Sequence, residues 1–177
     1  MGKTREPQPV KAFVGLLISR LSLLPRVSDL LQERLGPIDI QSQVWDFNYT
    51  DYYEAEMGTE LKRLFLAFGA LVTPERLIEI KLFTNNLEGV LAEGGRRLVN
   101  LDPGYITPAK VVLATTKDYA HRLYLGSGIY GEVTLIFHGK QYQTLPWTYP
   151  DYRSETYREF FGQLRTKYMA QMATLKD

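Results

Sequence analysis

The sequence predicts an α+β protein, a ferredoxin-like βαββαβ sandwich extended by a C-terminal β-meander and a terminal helix. Three observations point there. Apolar runs of strand length alternate with two segments of helical spacing over the first hundred residues. Each helical segment carries start or stop residues at its ends. After residue 119, short β-like runs are separated by glycine turns.

The elements follow in order. Lys11 to Ser19 (KAFVGLLIS) is a nearly continuous apolar run, which suits a central strand covered on both faces. Leu23 to Leu35 places Leu24, Val27, Leu31 and Leu35 on one helical face, and Gly36-Pro37 stops the helix. Ile38 to Phe47 begins with apolar-polar alternation, and Leu61 to Val72 sets Leu64, Leu66, Phe68 and Ala70 at a period of two, so both read as strands. Thr73-Pro74-Glu75 predicts a helix start, with the helix running to about Glu93 before Gly94-Gly95. Arg97 to Leu101 reads as a strand ended by an Asp102-Pro103-Gly104 turn.

Thr107-Pro108 repeats the start signal and predicts a short helix over 108–119. HRLYL, GEVTLIF and KQYQTLP then form the predicted meander, and Trp147 to Arg153 an extended linker. The terminal helix, from Ser154 to about Met172, aligns Tyr157, Phe160, Phe161, Leu164 and Tyr168, with Thr156 and Glu159 as a candidate capping box. Residues 1–177 read as a single domain, since no linker is long enough to separate two and 177 residues suffice for one real core.

Composition narrows the function classes. Twenty-one basic against 20 acidic residues give a net charge of +1, which argues against an electrostatically driven nucleic-acid binder. With no cysteine, disulfides, thiolate metal sites and thiol catalysis are excluded. No apolar stretch reaches the roughly 18 residues of a membrane span, and the start MGKTREPQPV lacks the apolar segment of a secretory signal, so a cytoplasmic protein without a membrane partner is expected.

Residues 126 to 133, GSGIYGEV, match G-x-G-x-x-G-x-V. A dinucleotide fold needs a helix after the glycines, yet a strand-like run follows. A kinase needs H-R-D and D-F-G segments, and the 46 residues after Gly131 contain neither. The P-loop pattern is absent as well. Two readings stay open: positive-φ glycines at a turn and bulge, or a backbone-amide cradle for an anion.

Just before this loop, TTKDYAHR (115–122) gathers groups that suit an anion: Arg122 as a bidentate donor, Lys117 as a point charge, His121 as a proton carrier near neutral pH. A solvated helix end would show the same residues. Asn100, Asp102 and Tyr105 sit at a predicted strand end, where Asp102 serves equally well as a turn residue. Asp46, Asp51, Glu54 and Glu56 in DFNYTDYYEAEMG follow no established metal spacing and read as a solvated loop, with tyrosines packed over the sheet. His138 falls in a predicted hairpin turn and is expected to be inert.

Several strings, FNYTDYYEAEMG, IKLFTNNLE, VNLDPGY, VLATTKDYAHRLYLGSGIYGEVTL and LPWTYPDY among them, resemble the bacterial proteins of domain-of-unknown-function family 4416 over nearly the whole chain. The resemblance implies a family without assigning an activity, a cofactor or a site residue.

The expectation is therefore a small anionic ligand, a nucleotide or phosphorylated metabolite, bound between TTKDYAHR and the glycine loop. Lys117, Arg122, Thr115, Thr116, Gly126, Gly128, Glu132, Asn100 and Tyr105 are the candidate ligand-binding residues, and His121 and Asp102 the candidate catalytic pair. A non-catalytic assembly module using sheet edges or WTYPDY is the alternative reading, and RNA binding by the many aromatic residues a third. Metal, cofactor, turnover and oligomeric state are left open by the sequence.

Overall fold

A computed structural model describes residues 2–175. The protein is a mixed α+β fold with a nine-stranded antiparallel sheet and four α-helices among these residues. Strand β1 (Val10–Ile18) lies at its centre, buried along its whole length as the apolar run requires. One face of the sheet packs against α1 (Leu24–Leu35) and α3 (Arg76–Val90), through Val14 and Leu16 of β1 and Leu64 and Leu66 of β4 (Lys62–Val72). The alternate residues, Phe13 and Phe65 among them, face α4 (Glu155–Thr174). A ferredoxin-like sandwich keeps its helices on one face of the sheet; here α4 covers the other face as well, as the continuous apolar run of β1 predicted.

Lys11 is the one charge inside β1, and it is fully buried. Its ammonium donates to Asp39 at 2.8 Å, the Phe68 carbonyl at 2.7 Å and Gln171 at 2.9 Å, which uses all three protons. Burial lowers its pKa against the pull of Asp39. The network ties β1 to β2 (Ile38–Gln41), β4 and α4.

The sheet order is β2-β4-β1-β5-β6-β8-β7, with β5 (Val99–Ile106), β6 (Lys110–Thr115), β7 (Leu123–Gly126) and β8 (Ile129–His138). Short β3 (Trp45–Asp46) also pairs with β4, and β9 (Gln141–Thr144) with β8. The predicted strand 38–47 is therefore two pieces, separated where Ser42 leaves the ladder to bond the backbone of Phe65.

Four further expectations are corrected. The helix predicted over 108–119 is strand β6 and a loop. Thr107 Oγ1 accepts from the backbone N–H groups of Ala109 and Lys110, and Thr107 N donates to Lys110 O, so the Thr-Pro pair closes a hairpin. Next, β5 runs through Pro103-Gly104 instead of stopping there. Strand β6 pairs only with Gly104–Ile106, so Pro103 sits where one edge of β5 is open and a missing N–H is tolerated. At Gly104 a Cβ would stand 2.4 Å from the Val112 carbonyl and 2.6 Å from the Phe13 ring, so only glycine fits. Ser154 caps α4 by accepting from Tyr157 N at 3.3 Å, in place of a Thr156–Glu159 box. Finally, the 147–153 segment is folded instead of extended, with a short 3₁₀ turn at Asp151–Arg153 that buries Asp151 and Tyr152. No helix of the described residues is long and apolar enough to cross a membrane.

Candidate functional site

The site arises from a split in the sheet. Strands β5 and β6 pair over Gly104–Ile106 and Val111–Leu113, then part, because Ala114 and Thr115 stay with β8 while the N-terminal half of β5 stays with β1. A cavity of about 620 Å³ opens there, lined by Asn100 and Asp102 from β5 and by Leu113 to Lys117 from β6 and its loop.

An open strand edge leaves backbone groups that need partners. Helix α3 supplies them at Leu101: Glu88 accepts its N–H at 2.6 Å, and the Lys81 ammonium donates to its carbonyl at 3.1 Å. Lys81 and Glu88 lie two helical turns apart on the stripe of Leu77, Ile80, Thr84 and Leu87 that packs on the sheet, so both charges are carried into the interior. Glu88 also takes Arg97 at 3.0 Å, and burial raises its carboxyl pKa against those bonds. Lys81 is 7% exposed and has no carboxylate within 4 Å among the described residues, so two of its three protons have no partner in the wall it lines.

Arg63 forms another part of the wall. It is buried at 3% exposure, donates to Asp102 and Asp151 at 3.3 Å each, lies over the Phe47 ring, and leaves its Nε without a partner. Asp151 is raised by burial, against Arg63. The Tyr152 hydroxyl beside it is also unpartnered.

Tyrosines close the cavity. Tyr49, Tyr52 and Tyr53 come from the segment between β3 and the single-turn helix α2 (Glu54–Met57), and Tyr149 comes from the far side. Two exposed contacts fasten the segment over the opening: Lys117 to the Tyr52 hydroxyl at 3.0 Å, and Arg97 to Glu56 at 2.7 Å. The Tyr52 phenol is lowered by that lysine, whereas burial pushes Tyr149 up to about 12 and Tyr53 further. These tyrosines thus form a wall of the cavity where a solvated loop was expected.

The structure divides the residues singled out from sequence. Asn100, Asp102, Thr115, Thr116, Lys117, Arg122 and Glu132 all line the cavity. Arg122 does so with its fork already committed, through Nε to Glu132 at 2.9 Å, Nη1 to the Lys117 carbonyl at 3.0 Å and Nη2 to Tyr149 at 2.8 Å. His121, Tyr105, Gly126 and Gly128 are not among the lining residues. His121 donates to the same Glu132 oxygen at 2.9 Å and stacks on Trp147, ring centroids 5.0 Å apart. Tyr105 packs beside the Leu77–Ile129 cluster. Gly126, Ser127 and Gly128 have φ of 137°, 52° and 76°, and the β7–β8 register shifts between Tyr124 and Gly126. The glycines of GSGIYGEV make a hairpin turn with a bulge away from the cavity, and of the motif only Glu132 reaches the lining.

Lys81, Asn85, Glu88, Arg63, Arg97 and the tyrosines were not found from sequence. One signal existed: Lys81 and Glu88 interrupt an otherwise apolar helical stripe, as Arg63 interrupts the inward positions of β4. No group of three or more potential metal-ligating His, Asp or Glu side chains occurs among the described residues.

A family model described as Domain of unknown function (DUF4416) matches residues 8–168. Comparison with curated proteins and with solved structures finds no match.

Proposed function

Since the chain belongs to the DUF4416 family, whose description assigns no activity, we propose a function from the cavity itself: it binds a small anionic ligand that carries a flat ring, of the nucleotide or phosphorylated-metabolite class. One observation carries the reading. Lys81 is a buried ammonium on the cavity wall with two protons unspent and no carboxylate within 4 Å among the described residues, Glu88 acting on it only from farther away. Burying such a charge is costly, and an anion both pairs it and takes up its protons. Lys117 reaches the same cavity from the rim, and Tyr49, Tyr52, Tyr53 and Tyr149 offer ring faces and edges to a planar group. A volume of about 620 Å³ falls within the ordinary range for small-molecule sites.

In this reading Arg122 and His121 orient Glu132 and Tyr149, and Asp102 is the candidate acid-base group facing the ligand. The strand order β2-β4-β1-β5, with α1 and α3 on one face, supports the ferredoxin-like reading of the N-terminal half.

A thermal-shift screen of nucleotides and phosphorylated metabolites, with and without Mg²⁺, tests the proposal on wild type and Lys81→Met. A ligand that binds only the folded chain raises the midpoint. The reading requires at least one such shift in wild type and its loss in the variant; an equal shift in both rejects it.

A different observation favours assembly as a second reading. Edge strand β7 exposes Leu123 at 75% and Tyr124 at 62%, with neither proline nor lysine to guard it. Light scattering across concentration, on wild type and Leu123→Lys, decides between a monomer and a strand-paired oligomer.

A further inference from the structure

The cavity has two chemically opposite sides, and β5 separates them. Leu101 points its side chain into the core under α1 and α3, and alternation along the strand turns Asp102 to the opposite face. Lys81 arrives with α3 on the first face; Asp102 meets Arg63, and through it Asp151, on the second.

Asp102 is held in one orientation. Its Oδ2 accepts from Asn100 at 2.7 Å and from Arg63 at 3.3 Å. Arg63 is itself fixed by burial and by Asp151, and Asn100 by Arg97 at 2.9 Å. The other carboxylate oxygen has no hydrogen-bond partner among the described residues, and the side chain lines the cavity at 27% exposure. A carboxylate only accepts. Its spare oxygen therefore repels an anion and takes a hydroxyl or amino donor.

We infer that the ligand is bipolar: a single anionic group held by Lys81 and Lys117, and a hydroxyl-bearing part whose O–H donates to Asp102. The chemical class is a hydroxylated monophosphate, that is, a sugar phosphate or a nucleoside monophosphate. Polyphosphates fit worse, because four acidic side chains (Glu88, Asp102, Glu132, Asp151) share the wall with five basic ones. Tyr53 and Tyr149 border the Asp102 side, where its charge helps to raise both phenols behind the larger effect of burial. A sugar ring or base placed there lies against their rings. This inference rests on the anion-binding reading of Lys81.

Isothermal titration at constant ionic strength separates the two claims, with n-pentyl phosphate, ribose 5-phosphate and adenosine 5′-monophosphate as probes. Wild type is expected to bind the two hydroxylated phosphates at least tenfold more tightly than pentyl phosphate, which has similar length and no hydroxyl. Asp102→Asn is expected to abolish the preference for ribose 5-phosphate over pentyl phosphate and to bind pentyl phosphate at least as tightly as wild type, since a charge that repels the anion is gone. Lys81→Met is expected to weaken every probe at least tenfold. Equal binding of ribose 5-phosphate and pentyl phosphate by wild type, or an undiminished preference in Asp102→Asn, overturns the bipolar assignment while the Lys81 result upholds anion binding. Failure of all three probes to bind wild type, or undiminished binding by Lys81→Met, overturns both. If Asp102→Asn does not fold, the wild-type comparison of the two five-carbon phosphates decides alone.

Discussion

The Glu88 carboxylate accepts the backbone N–H of Leu101 at 2.6 Å, so a helix side chain stands in for the strand that β5 lacks at this point. The same replacement that satisfies the open edge holds the sheet apart as a cavity. Removing the acceptor leaves a buried N–H without a partner, and Glu88→Ala is expected to cost about 1–3 kcal/mol beyond its lost packing. Glu88→Gln keeps an acceptor in place and should recover most of that loss, as read by urea denaturation of both variants.

The Glu88 carboxyl also predicts a pH dependence. Burial, the leading cause, holds its folded pKa above the ordinary 4.5. The folded state then binds the proton more tightly than the unfolded one, so this contribution to stability is full below pH 4.5 and is lost as pH rises through the folded value. Glu88→Gln removes the titration. Its midpoint relative to wild type should be higher at pH 7 than at pH 4, and a difference independent of pH would exclude burial as the cause.

Arg122 serves the fold before it serves a ligand. Its three bonds reach Glu132, which is 2% exposed, the Lys117 carbonyl and Tyr149. Arg122→Ala leaves that carboxylate with His121 and a long bond from the Thr134 hydroxyl at 3.4 Å, and a loss of about 3 kcal/mol is expected from breaking a buried pair. Arg122→Lys should rescue little, since one ammonium cannot span three acceptors set out for a planar fork. Chemical denaturation of the two variants gives the comparison.

Gly104→Ala tests the crossing of β1, β5 and β6. The added methyl meets the Val112 carbonyl and the Phe13 ring inside van der Waals contact, and one of these is backbone that cannot rotate away. A loss of about 3 kcal/mol, the upper end of overpacking, is expected in thermal or urea unfolding. A neutral substitution would mean that β5 and β6 separate more easily than the structure indicates.

Much of the fold was legible in local sequence. The continuous apolar run of β1 forecast a strand covered on both faces, and the spacing of Tyr157, Phe160, Phe161 and Leu164 forecast the buried stripe of α4. Local signals failed where two structures share them. Thr107-Pro108 begins helices and also closes hairpins, and only the pairing of Lys110–Thr115 with β8 decided between them. Pro103-Gly104 marks turns, yet here proline lies at an unpaired edge and glycine under a crossing strand.

For the site, the residues 100, 102, 115 to 117, 122 and 132 were legible because strand ends concentrate polar groups beside open backbone. The glycine motif was not, since φ above zero serves a hairpin as well as an anion cradle, and nothing in GSGIYGEV says which way its amides face. By itself the sequence determined most of the elements, the buried stripes and a cysteine-free core, because these depend on spacing and composition. The tertiary structure alone decided that Lys81 and Asp102 share a cavity on opposite sides of β5. That depends on where β6 leaves β5, a contact between distant segments that no local spacing encodes.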